Sequence, residues 1–277
     1  MKGDNGRPLL VCGSDKYHGA AIYAGRACIR AGADYCFILA HGNTQVIAMN
    51  SPEFIVSDFM GAWRQFHFNA MLVGPGLDVT SKAEEIFITV MNSIQPRMPL
   101  VIDADGLTLL LRNLDRYIQV LETCRVVLTP NMREFSRIYR QIFGQETPPC
   151  NSDTYLTAVL DVAKKLRCTL IVKGPQDVIA SNTESRMVLV REPSQPKRAS
   201  GQGDVLAGCL LSLLCTSEDV VLACQRACYA VRSAACMAFD RFSMGMATSD
   251  MLDFLPTFLF TPNSPGGDAP PMIAEAN

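Results

Sequence analysis

The sequence predicts an α/β protein built on a mostly parallel sheet with helices on both of its faces. Short apolar runs of strand length alternate with helical stretches from Leu9 to Val172. The apolar runs lack the period-two alternation that a half-exposed strand shows, so the strands are expected to be covered on both faces. About half of the 277 residues are hydrophobic, and only 19% are charged, which suits a globular core.

Six apolar runs are predicted as the strands of this sheet. They cover residues 9–12, 35–39, 70–73, 100–102, 126–128 and 170–172. Helices are predicted between them at residues 17–30, 81–92, 106–111, 133–142 and 154–166. Strands that alternate with helices in this way are joined by crossovers, which makes their neighbours in the sheet parallel.

The pattern changes after Val172. Residues 178–181 and 187–190 are expected to form a hairpin around residues 182–184, and two long helices are expected at residues 204–215 and 218–240. With no internal repeat and no linker visible, we expect one domain over residues 1–260. Residues 261–277 are rich in Pro and Gly and have no periodic pattern, so they are expected to form a flexible tail.

Composition argues against several classes of function. A net charge of −2, with Lys and Arg scattered along the chain, does not suit a nucleic-acid-binding protein. No apolar run approaches the roughly 18 residues that a membrane span needs. The start of the sequence has no secretory signal, and the 11 cysteines form no CxxC pair, so we expect reduced thiols and a cytoplasmic protein. A targeting segment further upstream would not be visible in this sequence.

The loop Ser200-Gly201-Gln202-Gly203-Asp204 opens a predicted helix. Glycines at a helix N-terminus let a ligand approach the unpaired N–H groups, a combination that binds phosphate. The same N–H groups are expected to stabilise Asp204 as a carboxylate, which could then act as a general base. The alternative is that Asp204 only caps the helix and the glycines only turn the chain. On spacing alone this alternative is slightly favoured, and the loop matches neither a Walker motif nor a dinucleotide fingerprint.

Other unusual loops follow the predicted strands, at the edge where ligands of open α/β sheets bind. Gly74-Pro75-Gly76 is consistent equally with a strand-ending turn and with a ligand contact. Asp103 and Asp105 could coordinate Mg²⁺ or cap the next helix, and capping is favoured.

Two further strand-end residues leave similar alternatives open. Asn131 with Glu134 three residues later has the pattern of a capping box, although its amide could also contact a ligand. Lys173 ends a buried-type strand. It could equally well neutralise a phosphate or extend its ammonium group to solvent.

Taken together, these loops resemble the ATP-dependent NAD(P)H-hydrate dehydratases of the ribokinase-like superfamily. The matching segments occur in the family's order and are Val11-Cys12-Gly13-Ser14, Tyr17-His18-Gly19-Ala20, Ala31-Gly32-Ala33-Asp34, Leu72-Val73-Gly74-Pro75-Gly76-Leu77, Val101-Ile102-Asp103-Ala104-Asp105-Gly106-Leu107, Leu128-Thr129-Pro130-Asn131 with Glu134-Phe135, Val172-Lys173-Gly174 with Asp177, and Gly201-Gln202-Gly203-Asp204-Val205-Leu206-Ala207-Gly208. Each is weak alone, but together they span almost the whole chain.

The resemblance implies a three-layer α/β/α ribokinase-like fold and a lyase that repairs hydrated NADH and NADPH of S configuration, with ATP and Mg²⁺ as cofactors. It implies Asp204 as the catalytic base. It places ATP on Lys173, Gly174, Pro175, Gln176, Asp177, Lys197, Arg198, Ala199, Ser200, Gly201, Gln202 and Gly203. It places the hydrated nucleotide on Gly76, Asn131, Met132, Arg133, Glu134, Phe135, Ser136, Arg137 and Asp204. No protein side chain is assigned to a metal.

The resemblance also sets limits and alternatives. The family often has Gly-Arg after Gly76-Leu77, where this chain has Asp78-Val79, so one substrate contact is open. A small-molecule kinase of the same fold, of the hydroxyethylthiazole or vitamin type, is the nearest alternative activity. A catalytically silent nucleotide-binding protein is the other alternative. Members of the family are often oligomers, so a homo-oligomer is the expectation here.

Overall fold

A single sheet of nine strands organises the described part of the chain. The computed structural model describes residues 3–59, 66–150, 152–182, 186–191 and 195–260. The strands are β1 (Pro8–Val11), β2 (Cys36–Ala40), β3 (Phe54–Asp58), β4 (Ala70–Val73), β5 (Pro99–Ile102), β6 (Arg125–Leu128), β7 (Thr169–Val172), β8 (Asp177–Ser181) and β9 (Met187–Val190). Their order is β3-β2-β1-β4-β5-β6-β7-β8-β9.

The pairing of the strands confirms the prediction of a mostly parallel sheet. Every neighbouring pair from β3 to β7 is parallel. The pairs β7–β8 and β8–β9 are antiparallel, as the predicted hairpin requires. All parallel strands therefore end at the same edge of the sheet.

Helices cover both faces of this sheet. They are α1 (His18–Arg30), α2 (Thr44–Ala48), α3 (Ser81–Met91), α4 (Asp105–Arg112), α5 (Leu114–Thr123), α6 (Met132–Phe143), α7 (Asp153–Leu166), α8 (Gln202–Thr216), α9 (Val220–Phe242), α10 (Thr248–Leu252) and α11 (Leu255–Leu259). Alternate residues of β1 point to opposite faces: Leu10 packs in the core with α1, α8 and α9, while Leu9 and Val11 pack in the core with α3 to α7. The three-layer arrangement is confirmed.

Side-chain caps explain where several helices begin. The hydroxyl of Thr80 accepts a hydrogen bond from Ala83 N at the start of α3, and that of Ser152 accepts one from Tyr155 N at the start of α7. Asn131 and Glu134 form the capping box of α6 that the sequence predicts.

The sequence prediction missed five of the described strands and helices. Edge strand β3 is one of them, because its side chains beyond Phe54 are only partly buried or exposed and produce no apolar run. The short helices α2, α10 and α11 are also new, as is α5, which follows α4 after Asn113 alone. The expected tail at 261–277 and most of the expected hairpin turn lie outside the described residues. Among the described helices none is long and apolar enough to cross a bilayer.

A glycine sets the distance between α1 and α8. A Cβ atom placed on Gly208 would lie 2.0 Å from the carbonyl oxygen of Ala24, which is backbone and cannot rotate away. The two helices are therefore in direct backbone contact just below the loop that begins α8. This contact fixes the position of that loop relative to the sheet.

Substituting Gly208→Ala should lower the free energy of unfolding by about 2 kcal/mol or more, since α1 and α8 must move apart. Denaturant unfolding measures this change. Gly245→Ala is the matched control, because a Cβ there meets nothing within 4 Å and Gly245 has no positive φ. Equal effects of the two substitutions would mean that the close contact does not restrain the helices.

Candidate active site

The loops after four parallel strands meet at one edge of the sheet, where the first turn of α8 also lies. Backbone hydrogen bonds continue the ladder into these loops: Asp103 N donates to Val73 O at 3.1 Å, and Thr129 N donates to Ile102 O at 3.2 Å. Lys173 N donates to Pro130 O at 2.8 Å. The ladder therefore fixes the start of each loop before any ligand is present.

The first turn of α8 carries no side-chain cap. Gly201 is the N-cap residue with a φ of 96°, and a Cβ there would lie 2.6 Å from the ring of Tyr23. Asp204 is the third residue of the helix, and no side-chain capping bond is present. The alternative that Asp204 only caps the helix is therefore wrong. The first N–H groups of α8 are left for a ligand, and a helix start of this kind favours an anion.

Asp204 does not have the protonation behaviour that the sequence suggested. Burial, chiefly, and the nearby charges of Asp103 and Asp105 raise the pKa of Asp204 to about 7, although the Lys173 ammonium acts in the opposite direction. The expected stabilisation of its carboxylate by the helix start is thus outweighed, because a half-buried carboxylate among other carboxylates is poorly solvated. A pKa near neutrality is what a general base needs.

A buried ion pair lies beside this turn. Lys173 Nζ donates to Asp103 Oδ1 at 2.7 Å, and the Asp103 side chain is only 2% exposed. Burial by itself lowers the pKa of the Lys173 ammonium, but the carboxylates of Asp103, Glu134 and Asp204 more than compensate, so the pKa is raised. The alternative in which Lys173 extends to solvent is therefore wrong. Its ammonium stays charged within the site.

Neither Asp103 nor Asp105 caps α4, so the favoured prediction for these two residues is wrong. The N-cap position is Ala104, which makes no side-chain capping bond and has a φ of 49°. The Asp105 carboxylate accepts a hydrogen bond from Asp78 N at 2.8 Å instead. Within the described ranges no three His, Cys, Asp or Glu side chains form a group that could hold a metal ion.

A cavity of about 670 Å³ opens in front of α8. It brings together eleven of the predicted residues, namely Asn131, Met132, Arg133, Lys173, Gly174, Pro175, Asp177, Arg198, Ala199, Gln202 and Gly203. It also contains five residues that the sequence did not single out, namely Gln195, Leu206, Val231, Arg232 and Ala235. All five lie on α8, on α9 or in the loop before α8, and Leu206 and Ala235 look like ordinary helix-packing residues in the sequence.

Arg232 was missed although it organises one wall of the cavity. Its guanidinium lies 3.2 Å from an Asp177 carboxylate oxygen and donates to the carbonyl oxygens of Gly174 and Pro175. The other Asp177 oxygen accepts from Gly174 N at 3.1 Å. Asp177 and Arg232 thus fold the segment that follows Lys173. An arginine on a helix that is otherwise rich in small apolar residues is the signal that could have identified it.

The predicted substrate residues on α6 face different surroundings. Met132 and Arg133 line the large cavity, whereas Glu134 and Arg137 line a neighbouring cavity of about 370 Å³. The Asn131 side chain accepts hydrogen bonds from Arg133 N and Glu134 N, both at 3.0 Å. The side chain of Phe135 is fully buried in the core, and Ser136 Oγ donates to Met132 O. A contact of Phe135 with a nucleotide would not involve its ring.

Gly74 and Gly76 are required by the backbone. A Cβ on Gly74 would lie 2.0 Å from Asp103 O, and one on Gly76 would lie 2.4 Å from Tyr17 O. Both residues have positive φ angles, as does Asp78 two residues later, with a φ of 68°. The turn alternative is confirmed for Gly74. Asp78 thus adopts the left-handed conformation that favours glycine, the residue that the resemblance leads us to expect at this position.

Four of the predicted nucleotide-binding residues lie outside the large cavity. Lys197 Nζ donates to Met244 O at 2.5 Å, and Ser200 O accepts from Thr248 Oγ1 at 2.6 Å. These contacts join the loop before α8 to the segment after α9. Gln176 lines a smaller cavity of about 310 Å³, and Gly201 packs on Tyr23.

Comparison with known proteins gives a consistent result. Residues 8–257 match the family model described as NAD(P)H-hydrate dehydratase. An ATP-dependent (S)-NAD(P)H-hydrate dehydratase from Ixodes scapularis is 31% identical over 91% of this chain and 86% of its own length.

Solved structures share the fold. A ribokinase-like superfamily protein from Enterococcus faecalis has a TM-score of 0.79 at 22% identity and covers 94% of this chain and 88% of its own. An ADP/ATP-dependent NAD(P)H-hydrate dehydratase from Bacillus subtilis, co-crystallised with ATP/Mg²⁺, has a TM-score of 0.73 at 24% identity, with 93% and 90% of the two chains covered. The ribokinase-like fold expected from the sequence is confirmed.

The raised pKa of Asp204 predicts an effect on stability. The folded protein binds the Asp204 proton more tightly than the unfolded chain, so this residue lowers stability as the pH rises from about 4 to about 7. We therefore expect Asp204→Asn to raise the free energy of unfolding by about 1–2 kcal/mol near pH 8, with a smaller gain near pH 5. Denaturant unfolding at both pH values tests this.

Asp253→Asn is the control for that measurement. Asp253 forms an exposed ion pair with Arg30 and is not among the residues that line the large cavity. It should change stability by no more than about 0.5 kcal/mol at either pH. If Asp204→Asn were less stable than the wild type near pH 8, this would contradict a pKa of about 7 for Asp204.

Proposed function

Because the chain belongs to the NAD(P)H-hydrate dehydratase family, we propose that it uses ATP to remove water from the S-epimer of hydrated NADH or NADPH. The products are the restored NADH or NADPH, ADP and phosphate. The protein is thus a lyase of nicotinamide nucleotide repair. Within the described part of the chain, the observation that carries this proposal is Asp204, a base of near-neutral pKa on the uncapped first turn of α8, beside a large cavity.

The large cavity suits ATP. The N–H groups at the start of α8, the Lys173 ammonium and the exposed Arg198 side chain offer positive charge for the phosphates. Leu206, Val231 and Ala235 give an apolar wall on which a flat base can pack. Gln202 Nε2 is buried without a hydrogen-bond partner among the described residues and is available to a ligand.

Mg²⁺ is proposed to enter with the nucleotide. Since the described residues supply no cluster of metal-binding side chains, the phosphate oxygens would be its main ligands. The Bacillus subtilis neighbour was co-crystallised with ATP/Mg²⁺, which supports this arrangement. Bound in this way, MgATP supplies a γ-phosphoryl group that turns a hydroxyl into a good leaving group.

The protein's own residues then have two tasks. Asp204 accepts the proton of the hydroxyl on the hydrated ring, which lets that oxygen attack the γ-phosphoryl group. The N–H groups of Gly201 to Gly203 and the Lys173 ammonium stabilise the negative charge that develops on the transferred phosphoryl group. ADP leaves as the phosphate ester forms. The ring nitrogen then expels phosphate, and the iminium that results loses a proton from the adjacent ring carbon to phosphate or solvent, which restores the dihydropyridine. The hydrated nucleotide is proposed to lie along Gly76, the start of α6 and Asp204.

A small-molecule kinase would use the same base and the same α8 turn, and would stop after the phosphoryl transfer. The family model and the Ixodes scapularis relative both describe dehydratases. The kinase alternative is therefore not favoured. The silent-protein alternative would need a defective base, and Asp204 is intact.

Substituting Asp204→Asn should abolish most dehydration while ATP still binds. The loss expected for a general base is roughly 10²- to 10⁴-fold in kcat. The assay mixes protein with hydrated NADH, ATP and Mg²⁺ and follows the return of nicotinamide absorbance. Full recovery of NADH with the variant would contradict the role of Asp204, and no recovery with the wild type would contradict the proposed function. ATP consumption only with a vitamin alcohol would favour the kinase.

The pH dependence of the reaction should report the same residue. Because the base must be deprotonated and its pKa is raised to about 7, kcat/KM should fall roughly tenfold for each pH unit below that value. A profile of kcat/KM against pH measures this. A rate that stays constant down to about pH 5 would show that the reacting base has an ordinary carboxylate pKa.

A further inference from the structure

The buried pair of Asp103 and Lys173 is joined across one intervening strand. Asp103 follows β5 and Lys173 follows β7, and β6 lies between these strands. The two backbones are therefore about two strand spacings, roughly 10 Å, apart. Only a long cationic side chain can cross that distance, and Lys173 does so to reach Asp103 Oδ1 at 2.7 Å.

Asp103 is held more firmly than its partner. Its backbone carbonyl lies so close to Gly74 that a Cβ there would be 2.0 Å away, and its N–H donates to Val73 O. The next residue, Ala104, has a φ of 49°, a region that only glycine enters freely. Strain of this kind persists only where the surroundings fix the backbone, and it is concentrated at functional sites. Asp103 is thus a fixed point to which the flexible lysine is tied.

The pair lies directly beside the α8 turn. A Cβ atom on Gly203 would be 3.3 Å from Lys173 Nζ and 4.0 Å from Asp103 Oδ2. Gly203 immediately precedes Asp204. The bare backbone at Gly203 therefore lets the ammonium approach the turn on which the reaction is proposed to take place.

We propose that Asp103 is a positioning residue of the reaction, which holds the Lys173 ammonium against the first turn of α8 at the site of phosphoryl transfer. Asp103 itself is not among the residues that line the large cavity. This inference rests on the proposed function for its role in turnover, although the geometry of the pair does not depend on it. It assigns a role to an aspartate for which the sequence offered only capping or Mg²⁺ binding.

The electrostatic surroundings agree with this role. Asp204 is influenced by Asp103 and Asp105 from the loop after β5 and by Lys173 from the end of β7, while Glu134 on α6 acts on Lys173. Cys12 at the end of β1 is also close, but burial keeps its pKa well above the usual range, so it stays a neutral thiol. Removing the Asp103 charge should therefore lower the pKa of Asp204.

The test compares Asp103→Asn with the wild type. We expect kcat to fall by about a hundredfold, the loss typical of a misplaced reacting group, while the Kd for MgATP rises no more than about threefold. A merely structural role would weaken MgATP binding as well. Asp253→Asn, which removes an aspartate from an exposed ion pair of the same 2.7 Å length, should change neither quantity.

A second variant removes the risk that an unpaired buried lysine unfolds the protein. Asp103→Asn combined with Lys173→Met leaves no uncompensated charge and should fold. If Asp103 acts through Lys173, the double variant is no slower than Lys173→Met alone. Losses in kcat that multiply would overturn the proposal, as would an Asp103→Asn variant with wild-type kcat.

A titration without turnover separates this proposal from the proposed function. Carboxyl ¹³C NMR follows the protonation of Asp204, whose signal is identified by its absence in Asp204→Asn. We expect its midpoint to move down by about one pH unit or more in Asp103→Asn. An unchanged midpoint would overturn the placement of the pair beside Asp204, even if the wild type restores NADH. If the wild type restores no NADH but the midpoint moves, only the proposed function fails.

Discussion

The parallel hydrogen-bond ladder is the constraint on which the rest of the site depends. It continues one residue past the ends of β5, β6 and β7, where Asp103 N donates to Val73 O, Thr129 N to Ile102 O and Lys173 N to Pro130 O. A parallel ladder leaves no freedom of register once both faces of a strand are buried. The residues that follow the strands are therefore delivered to one edge in fixed order, before any side chain interacts. Gly74 extends this rigidity, because its backbone lies against that of Asp103 where no Cβ would fit.

Placing charged groups at such an edge has an electrostatic consequence. The carboxylates of Asp103, Asp105 and Asp204 are brought close together in a region that excludes much of the solvent. Lys173 supplies the positive charge that acts on Asp204 there. A carboxylate that lacks a hydrogen bond or a nearby cation holds its proton more tightly than one that has such partners. Asp103 has the lysine at 2.7 Å, and Asp105 has the N–H of Asp78 at 2.8 Å. Asp204 has no hydrogen bond of that kind in the described structure, and burial together with the charges of Asp103 and Asp105 raises its pKa to about 7.

The sequence predicted the architecture well because the strands are buried on both faces and read as apolar runs. It missed β3, where edge exposure removes that signal, and α5, which only Asn113 separates from α4. In the site, the α6 capping box was predicted correctly because it is local. The pairing of Lys173 with Asp103 was not, since the two residues lie 70 positions apart and no alternative considered for either residue was an ion pair with another side chain. Arg232 was missed for the same reason, because its partner Asp177 is distant in sequence.

The same geometry suits the proposed reaction, in which Asp204 acts as a base close to an electrophilic phosphoryl group. A base close to a phosphoryl group would normally be lost to repulsion between two anions. Gln202 and Gly203 at the uncapped start of α8 line the cavity together with Lys173, so N–H groups and a cation are offered there to the negative charge of a phosphate. Because the pKa of Asp204 is raised to about 7, part of the protein carries a neutral Asp204 side chain near neutral pH, which reduces that repulsion further. A base with an ordinary carboxylate pKa at this position would be fully charged and would accept the hydroxyl proton less readily.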